Sequence, residues 1–236
     1  MKKINALKAA FPFTIPIFAG FVFLGISYGI FMNKLGFSFW YPTFMAMFIF
    51  AGSMEFIAGN LLLLPFNPLN AFVLALIINA RHIFYGISML KPFENSGKKK
   101  FFLIYGMCDE SFSINFSVKA PENVDKHWFM FFITVLNYLY WVLGSFLGGV
   151  LGNFIKFNTK GIEFVMTALF VVIFLEQWKN KEGNISSIAG IVVSAICLVF
   201  LKEKVFIIPS MIIILIFLSI MRKKLENRRY IEEELV

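Results

Sequence analysis

The sequence predicts an all-α, polytopic transmembrane helical bundle of seven or eight spans, with a broken or re-entrant segment in its first half. Of its 236 residues, 59% are hydrophobic and 15% are charged, whereas soluble domains are roughly half apolar and a quarter charged. The mean hydropathy of +0.78 is too high for one globular core of this size, because the surface of such a core must face water. The bilayer is therefore the expected solvent.

Long uncharged stretches mark the spans. A helix needs about 20 residues to cross about 30 Å of hydrocarbon. On this criterion the predicted segments lie near 11–33, 42–64, 69–90, 101–118, 128–151, 162–178, 186–201 and 205–221. Residues 1–221 are predicted to form a single transmembrane domain, and residues 222–236 a charged C-terminal tail.

The N-terminus resembles a secretory signal peptide but is predicted to be retained as the first span. Its basic start, MKKINALKAA, precedes a long apolar run. That run is too long for a signal peptide, and no convincing small-x-small cleavage site ends it before Lys34.

The distribution of basic residues constrains the orientation. Lysines and arginines at both chain ends favour the cytoplasm, which requires an even number of crossings. Lys91 and Lys98–Lys100 form a third basic loop, which three full crossings from a cytoplasmic N-terminus would place outside. One early segment is therefore expected to be broken or re-entrant, at its prolines or at its glycines. The residues concerned are Pro12, Pro16, Gly52 and Gly59.

A small set of polar side chains interrupts the apolar segments of the first half. A charge at the centre of a membrane helix costs at least about 2.5–3.5 kcal/mol on insertion scales, so each one suggests a function. The candidates for a substrate and proton pathway are Glu55, Asn79, Arg81, His82, Tyr85, Asp109 and Glu110. The charged members carry a surplus of negative charge, so at least one carboxylate needs a proton, a cation or water. The structural alternative is an Arg–Asp pair that only holds helices together, or side chains that snorkel to an interface.

Helical spacing groups some of these residues. Gly52, Glu55 and Gly59 share one face, which would let a neighbouring backbone approach the carboxylate. Arg81, Tyr85 and Ser88 share another face, and Asn79 lies three residues before His82.

Glycines at helical spacing predict close helix packing. The stripe Gly144, Gly148 and Gly152 is interpreted as helix packing, within the chain or between subunits. The glycines between residues 20 and 29 have two interpretations: close packing, or an unwound backbone whose amides face a substrate carboxylate. The candidates for close packing or backbone contact are Gly20, Gly25, Gly29, Gly52 and Gly59.

One motif suggests an enzyme. Residues 25–29 match the G-x-S-x-G elbow of serine hydrolases, with Ser27 as nucleophile and His82 as a nominal base. An elbow needs a strand-to-helix turn, whereas Ser27 lies in a charge-free helical run, so an intramembrane hydrolase is only an alternative. Neither a nucleotide-binding fingerprint nor a metalloprotease motif occurs, and two cysteines exclude a disulfide framework or a cysteine-rich metal site. No catalytic residue, metal or cofactor is predicted.

Several motifs in this order resemble the AzlC family. They are FPFTIPIFAGFVFLGISYG, FAGSMEFIAGNLL, NARHIFYGISM, DESFSINF, WVLGSFLGGVLG and IEFVMTALFVVIF, which span roughly residues 10–178. The family comprises the large subunits of branched-chain amino acid exporters and is similar to YgaZ and BrnF. The resemblance implies proton-driven efflux of leucine, isoleucine or valine across the bacterial plasma membrane, by a multi-pass protein with a small AzlD-type membrane subunit. Many relatives carry Gln where this chain has Glu55.

The residues fit that implication. Arg81 offers a planar fork for a substrate carboxylate, and Asp109 or Glu110 offers a partner for the ammonium. Our mechanistic hypothesis is alternating access by antiport, with Asp109 or Glu55 as the proton carrier and His82 as a relay. A membrane scaffold subunit that does not transport is a further alternative.

Overall fold

The computed structural model describes residues 2–154, 184–201 and 209–217, together with the single residues 164, 171, 175, 178, 206 and 220. The described residues contain helices and no strand, which confirms the all-α prediction for them. The chain divides into two compact units, Met1–Met166 and Thr167–Val236. Most of the predicted segment 162–178 and the predicted tail 222–236 lie outside the described residues.

The helix bounds show which predicted segments are continuous. The first unit contains α1 (Lys2–Lys34), α2 (Trp40–Phe48), α3 (Gly52–Leu61), α4 (Pro68–Asn79), α5 (Arg81–Met89), α6 (Lys99–Tyr105), α7 (Asp109–Ser117) and α8 (Lys126–Leu151). In the second unit, α9 (Asn184–Phe200) and the helical residues 209–217 coincide with two predicted segments. Within the described part of the chain, α1 and α8 are long and apolar enough to cross a membrane. The pair α4 and α5, bent by 55°, qualifies as a third span.

Helices α1 and α8 run side by side in the same direction. Near their starts, the rings of Phe13 and Phe129 pack edge to face, with centroids 5.7 Å apart. Near their ends, Asn33 Nδ2 donates to Asn153 Oδ1 at 2.8 Å. This parallel pair is the frame on which the other helices of the first unit pack.

The starts of α1, α6 and α8 lie together at one end of this unit. The Nζ atoms of Lys3 and Lys99 each lie 4.6 Å from the Trp128 ring centroid, and His127 Nε2 lies 2.9 Å from the Glu94 carbonyl oxygen. The elements and loops here carry many further lysines, so it is termed the basic end. These are Lys2, Lys8, Lys91, Lys98, Lys100, Lys119 and Lys126. The opposite end is where α1 and α8 finish.

Helices α2 and α3 form a re-entrant hairpin, the first hairpin, which enters from the opposite end. Phe39, just before α2, packs on Gly149 near the end of α8. The chain turns back after α2 at Phe50, whose φ of 47° lies in the left-handed region. Helix α3 then returns along α1 until Gly59 contacts Met32 and Phe31. With 9 and 10 residues, each helix is about half the length of a span.

Helices α4 and α5 cross from the opposite end to the basic end. The Asn67 side chain accepts from the Asn70 amide at 3.0 Å, and Pro68 occupies the first turn, so the start of α4 is well capped. The chain bends at Ala80, between the two helices. Met89, the last residue of α5, belongs to an apolar cluster that includes Met130 near the start of α8.

Helices α6 and α7 form the second hairpin, which enters from the basic end. Helix α6 starts at Lys99 beside Trp128 and rises along α8 until the Tyr105 ring lies 6.1 Å from that of Tyr138. The turn at residues 106–108 reverses the chain. Helix α7 then descends along α8, so that Val118 after its end packs near Phe129.

The tips of the two hairpins meet at Tyr138, halfway along α8. The Met47 carbonyl, just before the first tip, accepts from Tyr138 Oη at 3.0 Å and from Tyr105 Oη. The ring of Phe50 lies 5.1 Å from that of Tyr138 and 6.4 Å from that of Tyr105. Two half-length hairpins of opposite orientation therefore meet halfway along α8.

The predicted count of seven or eight spans is not confirmed, because two of the predicted segments form hairpins in the described part of the chain. Segments 42–64 and 101–118 are long enough to cross, but each breaks in the middle and returns to its own side. The first hairpin therefore adds no crossing, and the loop 91–100 lies at the basic end with the N-terminus instead of opposite to it. The expectation of a broken segment is confirmed at Gly52, and two further breaks occur at Ala80 and at residues 106–108.

The other predicted break, in α1, does not occur. Helix α1 is continuous through Pro12 and Pro16, which are exposed. It is also helical from Gly20 to Gly29, so the unwound-backbone interpretation of these glycines is wrong. Packing against α8 along its whole length supports the helix where the prolines remove backbone hydrogen bonds.

Candidate functional site

An ion pair joins the broken span to the tip of the second hairpin. Arg81 Nε lies 2.8 Å from Asp109 Oδ1, and Tyr85 Oη donates to the same oxygen at 2.9 Å. The side chains of Arg81 and Asp109 are 31% and 21% exposed, which leaves access for a ligand. The structure thus brings together three of the predicted site residues.

Both charges stand at helix starts. Arg81 is the first residue of α5, immediately after the bend at Ala80, and Asp109 is the first residue of α7. A carboxylate at a helix N-terminus interacts favourably with the helix dipole. The breaks before α5 and α7 therefore place Arg81 and Asp109 beside each other. The helix start at Asp109 also helps to stabilise its negative charge.

The remaining polar candidates surround this pair. His82 Nδ1 lies 3.3 Å from the Asn79 carbonyl oxygen, and its ring centroid is 5.4 Å from that of Tyr85. Glu110, half-buried, follows Asp109 in the first turn of α7. Ser88, which shares the helical spacing of Arg81 and Tyr85, is exposed and donates to the carbonyl one turn back in its own helix, so it does not contribute.

Glu55 lies in a separate cluster near the first hairpin tip. Its side chain is fully buried, and Trp141 Nε1 lies 3.1 and 3.2 Å from its two oxygens. The Ala51 amide also donates to Oε1 at 2.9 Å. The described hydrogen bonds thus join Glu55 to α8 and to its own helix start, and not to Asp109.

The glycines beside Glu55 admit side chains, not the neighbouring backbone that their spacing suggests. A Cβ on Gly52 would lie 3.0 Å from the ring of Trp141, and one on Gly59 would lie 2.7 Å from Met32 Sδ. Gly52 therefore makes room for the indole that binds Glu55. The predicted backbone contact does not form, because the helices that face Gly52 and Gly59 carry the large side chains of Trp141 and Met32 at these positions.

The geometry predicts different results for two substitutions of Glu55. Glu55→Gln keeps an acceptor for Trp141 Nε1 and for the Ala51 amide, so the yield of folded protein is expected to stay within about twofold of wild type. Glu55→Leu leaves both donors buried without an acceptor, at about 1–3 kcal/mol each. The yield of monodisperse protein in detergent should then fall severely. An equally severe loss of yield for Glu55→Gln would contradict this structural role.

A buried polar row between α7 and α8 was missed by the sequence analysis. Asn137 Nδ2 donates to Ser111 Oγ at 3.1 Å, and Asn115 Nδ2 donates to Thr134 Oγ1 at 3.2 Å. We term these four residues the polar ladder. They are at most 6% exposed, and the Oδ1 atoms of both asparagines are buried with no hydrogen-bond partner among the described residues. The sequence did carry a signal for this row: its uncharged polar residues are spaced i, i+4 in α7 and i, i+3 in α8.

A cavity of about 810 Å³ lies beside the first hairpin. Met45 and Ile49 line it from the side of α2, Ala58 from α3 and Ala71 from α4, and its lining is mainly apolar. It extends from the loop between α3 and α4, at the opposite end, to the hairpin tip at Ile49. The apolar lining suits aliphatic groups.

The glycine stripe lies where α1 and α8 cross. A Cβ on Gly144 would lie 2.8 Å from the Val22 carbonyl oxygen, and one on Gly25 would lie 2.8 Å from the Ser145 amide. A Cβ on Gly29 or Gly148 would overlap the backbone of the facing helix, and a Cβ on Gly152 would meet the Asn33 side chain. Gly20, in contrast, has nothing within 4 Å.

The hydrolase alternative lacks its required setting. Ser27 is 6% exposed, lies inside the continuous helix α1 and donates to the Phe23 carbonyl at 2.9 Å. A nucleophile elbow instead presents its hydroxyl at a sharp strand-to-helix turn. The G-x-S-x-G match is therefore a product of helix-packing glycines.

Comparisons with known proteins identify relatives over nearly the whole chain. The chain is 58% identical over 222 residues to the branched-chain amino acid transport protein AzlC of Bacillus subtilis, covering 94% of this chain and 87% of that protein. It is 47% identical to a Haemophilus influenzae membrane protein, covering 95% of this chain and 92% of the relative. It is 24% identical to the inner membrane protein YgaZ of Escherichia coli, covering 72% of each chain. No solved structure matches. Because the family profile described as "AzlC protein" also matches residues 16–155, the chain belongs to the AzlC family.

Proposed function

We propose that this protein exports leucine, isoleucine and valine across the bacterial plasma membrane by proton antiport, together with a small AzlD-type membrane subunit. The observation that carries the proposal is the Arg81–Asp109 pair, placed where a bent span meets a hairpin tip. The printed name of the Bacillus subtilis relative supports branched-chain amino acids as the substrate class.

The ion pair suits a zwitterion. An amino acid brings a carboxylate and an ammonium on one carbon, and these can exchange with the internal pair: the carboxylate binds Arg81 and the ammonium binds Asp109. No net charge moves into the protein in that exchange, which limits the desolvation cost. Tyr85 holds Asp109 Oδ1 in position throughout.

The apolar cavity beside the first hairpin suits the aliphatic side chain. It lies at the opposite end, the side toward which an exporter with a cytoplasmic basic end moves its substrate. We therefore assign it as the exit chamber, where apolar contacts recognise the side chain and no further charge is needed.

Proton coupling is assigned to Asp109. A protonated Asp109 holds Arg81 less strongly, since the charge of the pair is lost, and the two hairpins can then rearrange around the site. Deprotonation to the cytoplasm would restore the pair and complete an antiport cycle. Glu55 takes no part in this scheme, because its described partners belong to the packing of the first hairpin.

The orientation follows from the lysines. Nine lysines belong to elements and loops at the basic end, and the positive-inside rule assigns that end to the cytoplasm. Residues 2–154 then cross three times. If the three remaining predicted segments each cross once, the total is six, which is even and returns the basic C-terminus to the cytoplasm.

The test is efflux of labelled leucine from proteoliposomes under an imposed pH gradient. We expect flux that depends on the gradient when this chain is reconstituted with a small AzlD-type membrane subunit, and a several-fold lower flux without that subunit. Alanine and lysine as substrates serve as controls for the branched-chain preference. Equal leakage of leucine from vesicles with and without the protein would contradict the proposal and favour a scaffold role.

A further inference from the structure

The polar ladder between α7 and α8 is a buried polar feature that the transport proposal does not use. Ser111 and Asn115 lie one turn apart on α7, and Thr134 and Asn137 lie one turn apart on α8. Their cross-links place all four side chains within about one helical turn of each other. The asparagine oxygens that remain without a partner are buried on two facing helices.

The chemistry of the ladder indicates the class of ligand. An amide oxygen is an acceptor only, so the two Oδ1 atoms require a hydrogen-bond donor or a cation. No carboxylate belongs to the ladder, and the described residues contain no cluster of three His, Cys, Asp or Glu that could hold a metal ion. Among cations, calcium favours carboxylates and zinc favours nitrogen and sulfur, so four neutral oxygen ligands suit a monovalent cation best.

The surroundings of the ladder also favour a cation. Asp109 and Glu110 directly precede Ser111 in the first turn of α7, and Arg81 pairs with Asp109. Glu110 therefore places a second carboxyl group beside the ladder. The turn at residues 106–108 adds unwound backbone there: a Cβ on Gly106 would lie 2.6 Å from Thr134 Cγ2. In transporters, unwound backbone and half-helix ends are characteristic ligands of coupling ions.

We propose that the polar ladder binds one sodium ion, with Asn115 Oδ1, Asn137 Oδ1 and the hydroxyls of Ser111 and Thr134 as ligands. An apolar cluster of Phe129, Ile133 and their neighbours covers the ladder on its basic-end side. An ion bound there would tie α7 to α8 and hold the second hairpin in its present position. This binding is independent of which amino acid the protein carries.

The test measures sodium binding by the purified full-length protein in detergent. At constant ionic strength and pH, NaCl in place of choline chloride is expected to raise the melting midpoint by about 3–6 °C at ten times the Kd. Equilibrium binding of radioactive sodium should saturate at one ion per chain. Asn137→Ala and Asn115→Ala should lose both signals, whereas Asn60→Ala, at an exposed position, should keep them.

Three outcomes would overturn the proposal. They are identical melting in sodium and choline, an equal shift in potassium, and a sodium shift that survives both ladder substitutions. Radioactive sodium binding to wild-type protein needs no variant, so a ladder variant that fails to fold does not block the test. Leucine flux is measured separately, so absence of sodium binding alongside intact flux would refute the ion site without touching the transport proposal.

Discussion

Asp109→Asn is expected to reduce leucine efflux about 100-fold, a loss equivalent to about 2.7 kcal/mol. The neutral amide can still accept from Tyr85 but cannot balance the charge of Arg81 as the Asp109 carboxylate does. Breaking a fully buried pair costs about 3–5 kcal/mol, and we take a smaller value because both side chains are partly exposed. The measurement is initial efflux of labelled leucine from proteoliposomes at equal protein content.

Controls for Asp109→Asn separate charge from folding. Glu122→Gln removes an acidic group at the exposed basic end and should transport like wild type. The double variant Arg81→Gln, Asp109→Asn removes both charges and should recover stability in detergent without recovering efflux. A purified Asp109→Asn protein with undiminished, pH-dependent efflux would refute the assigned role.

Gly148→Ala is expected to reduce the accumulation of folded protein severely. A Cβ at this position would overlap the Ile26 backbone, which belongs to a packed helix and cannot rotate away. Overpacking a tight contact costs about 1–3 kcal/mol or more, a large share of a typical stability of about 5–15 kcal/mol. The measurement is the amount of monodisperse protein extracted from membranes.

The matched control is Gly20→Ala. It makes the same chemical change in the same frame of helices, at a position with nothing within 4 Å. Its yield should equal that of wild type or exceed it slightly, because alanine favours a helix over glycine by about 1 kcal/mol. Equal yields for Gly148→Ala and Gly20→Ala would show that the crossing of α1 and α8 is looser than the structure indicates.

Local sequence predicts the membrane class and much of the helix content, but not the direction of each segment. A run such as 42–64 has the length and hydropathy of a crossing, and hydropathy does not distinguish a full span from a hairpin. The reversal at Phe50 depends on tertiary contacts with Tyr138 and Trp141, which lie far along the chain. The basic loop 91–100 indicated that one early segment does not cross, because three full crossings would place this loop opposite the N-terminus.

The sequence predicted which residues belong to the candidate site better than it predicted how they are arranged. Charge in apolar segments identified Arg81 and Asp109, which the structure joins, and also Glu55, which it places in another cluster. The sequence offered an Arg–Asp pair only as a structural alternative, because the breaks at Ala80 and before Asp109 that bring the two residues together depend on tertiary structure. The polar ladder escaped attention because serine, threonine and asparagine are individually inexpensive in membrane helices, so single positions give little signal.

The parallel contact between α1 and α8 has a consequence for biogenesis. The glycine face of α1 leaves the ribosome early, but its partner is complete only when residue 151 has been made. At about 5–20 residues per second, that interval is on the order of ten seconds. During this time α1 must reside in the bilayer with its close-packing surface against lipid or insertion machinery. Synthesis rate and insertion factors should therefore influence the yield of this protein more than that of a bundle built from sequential neighbours.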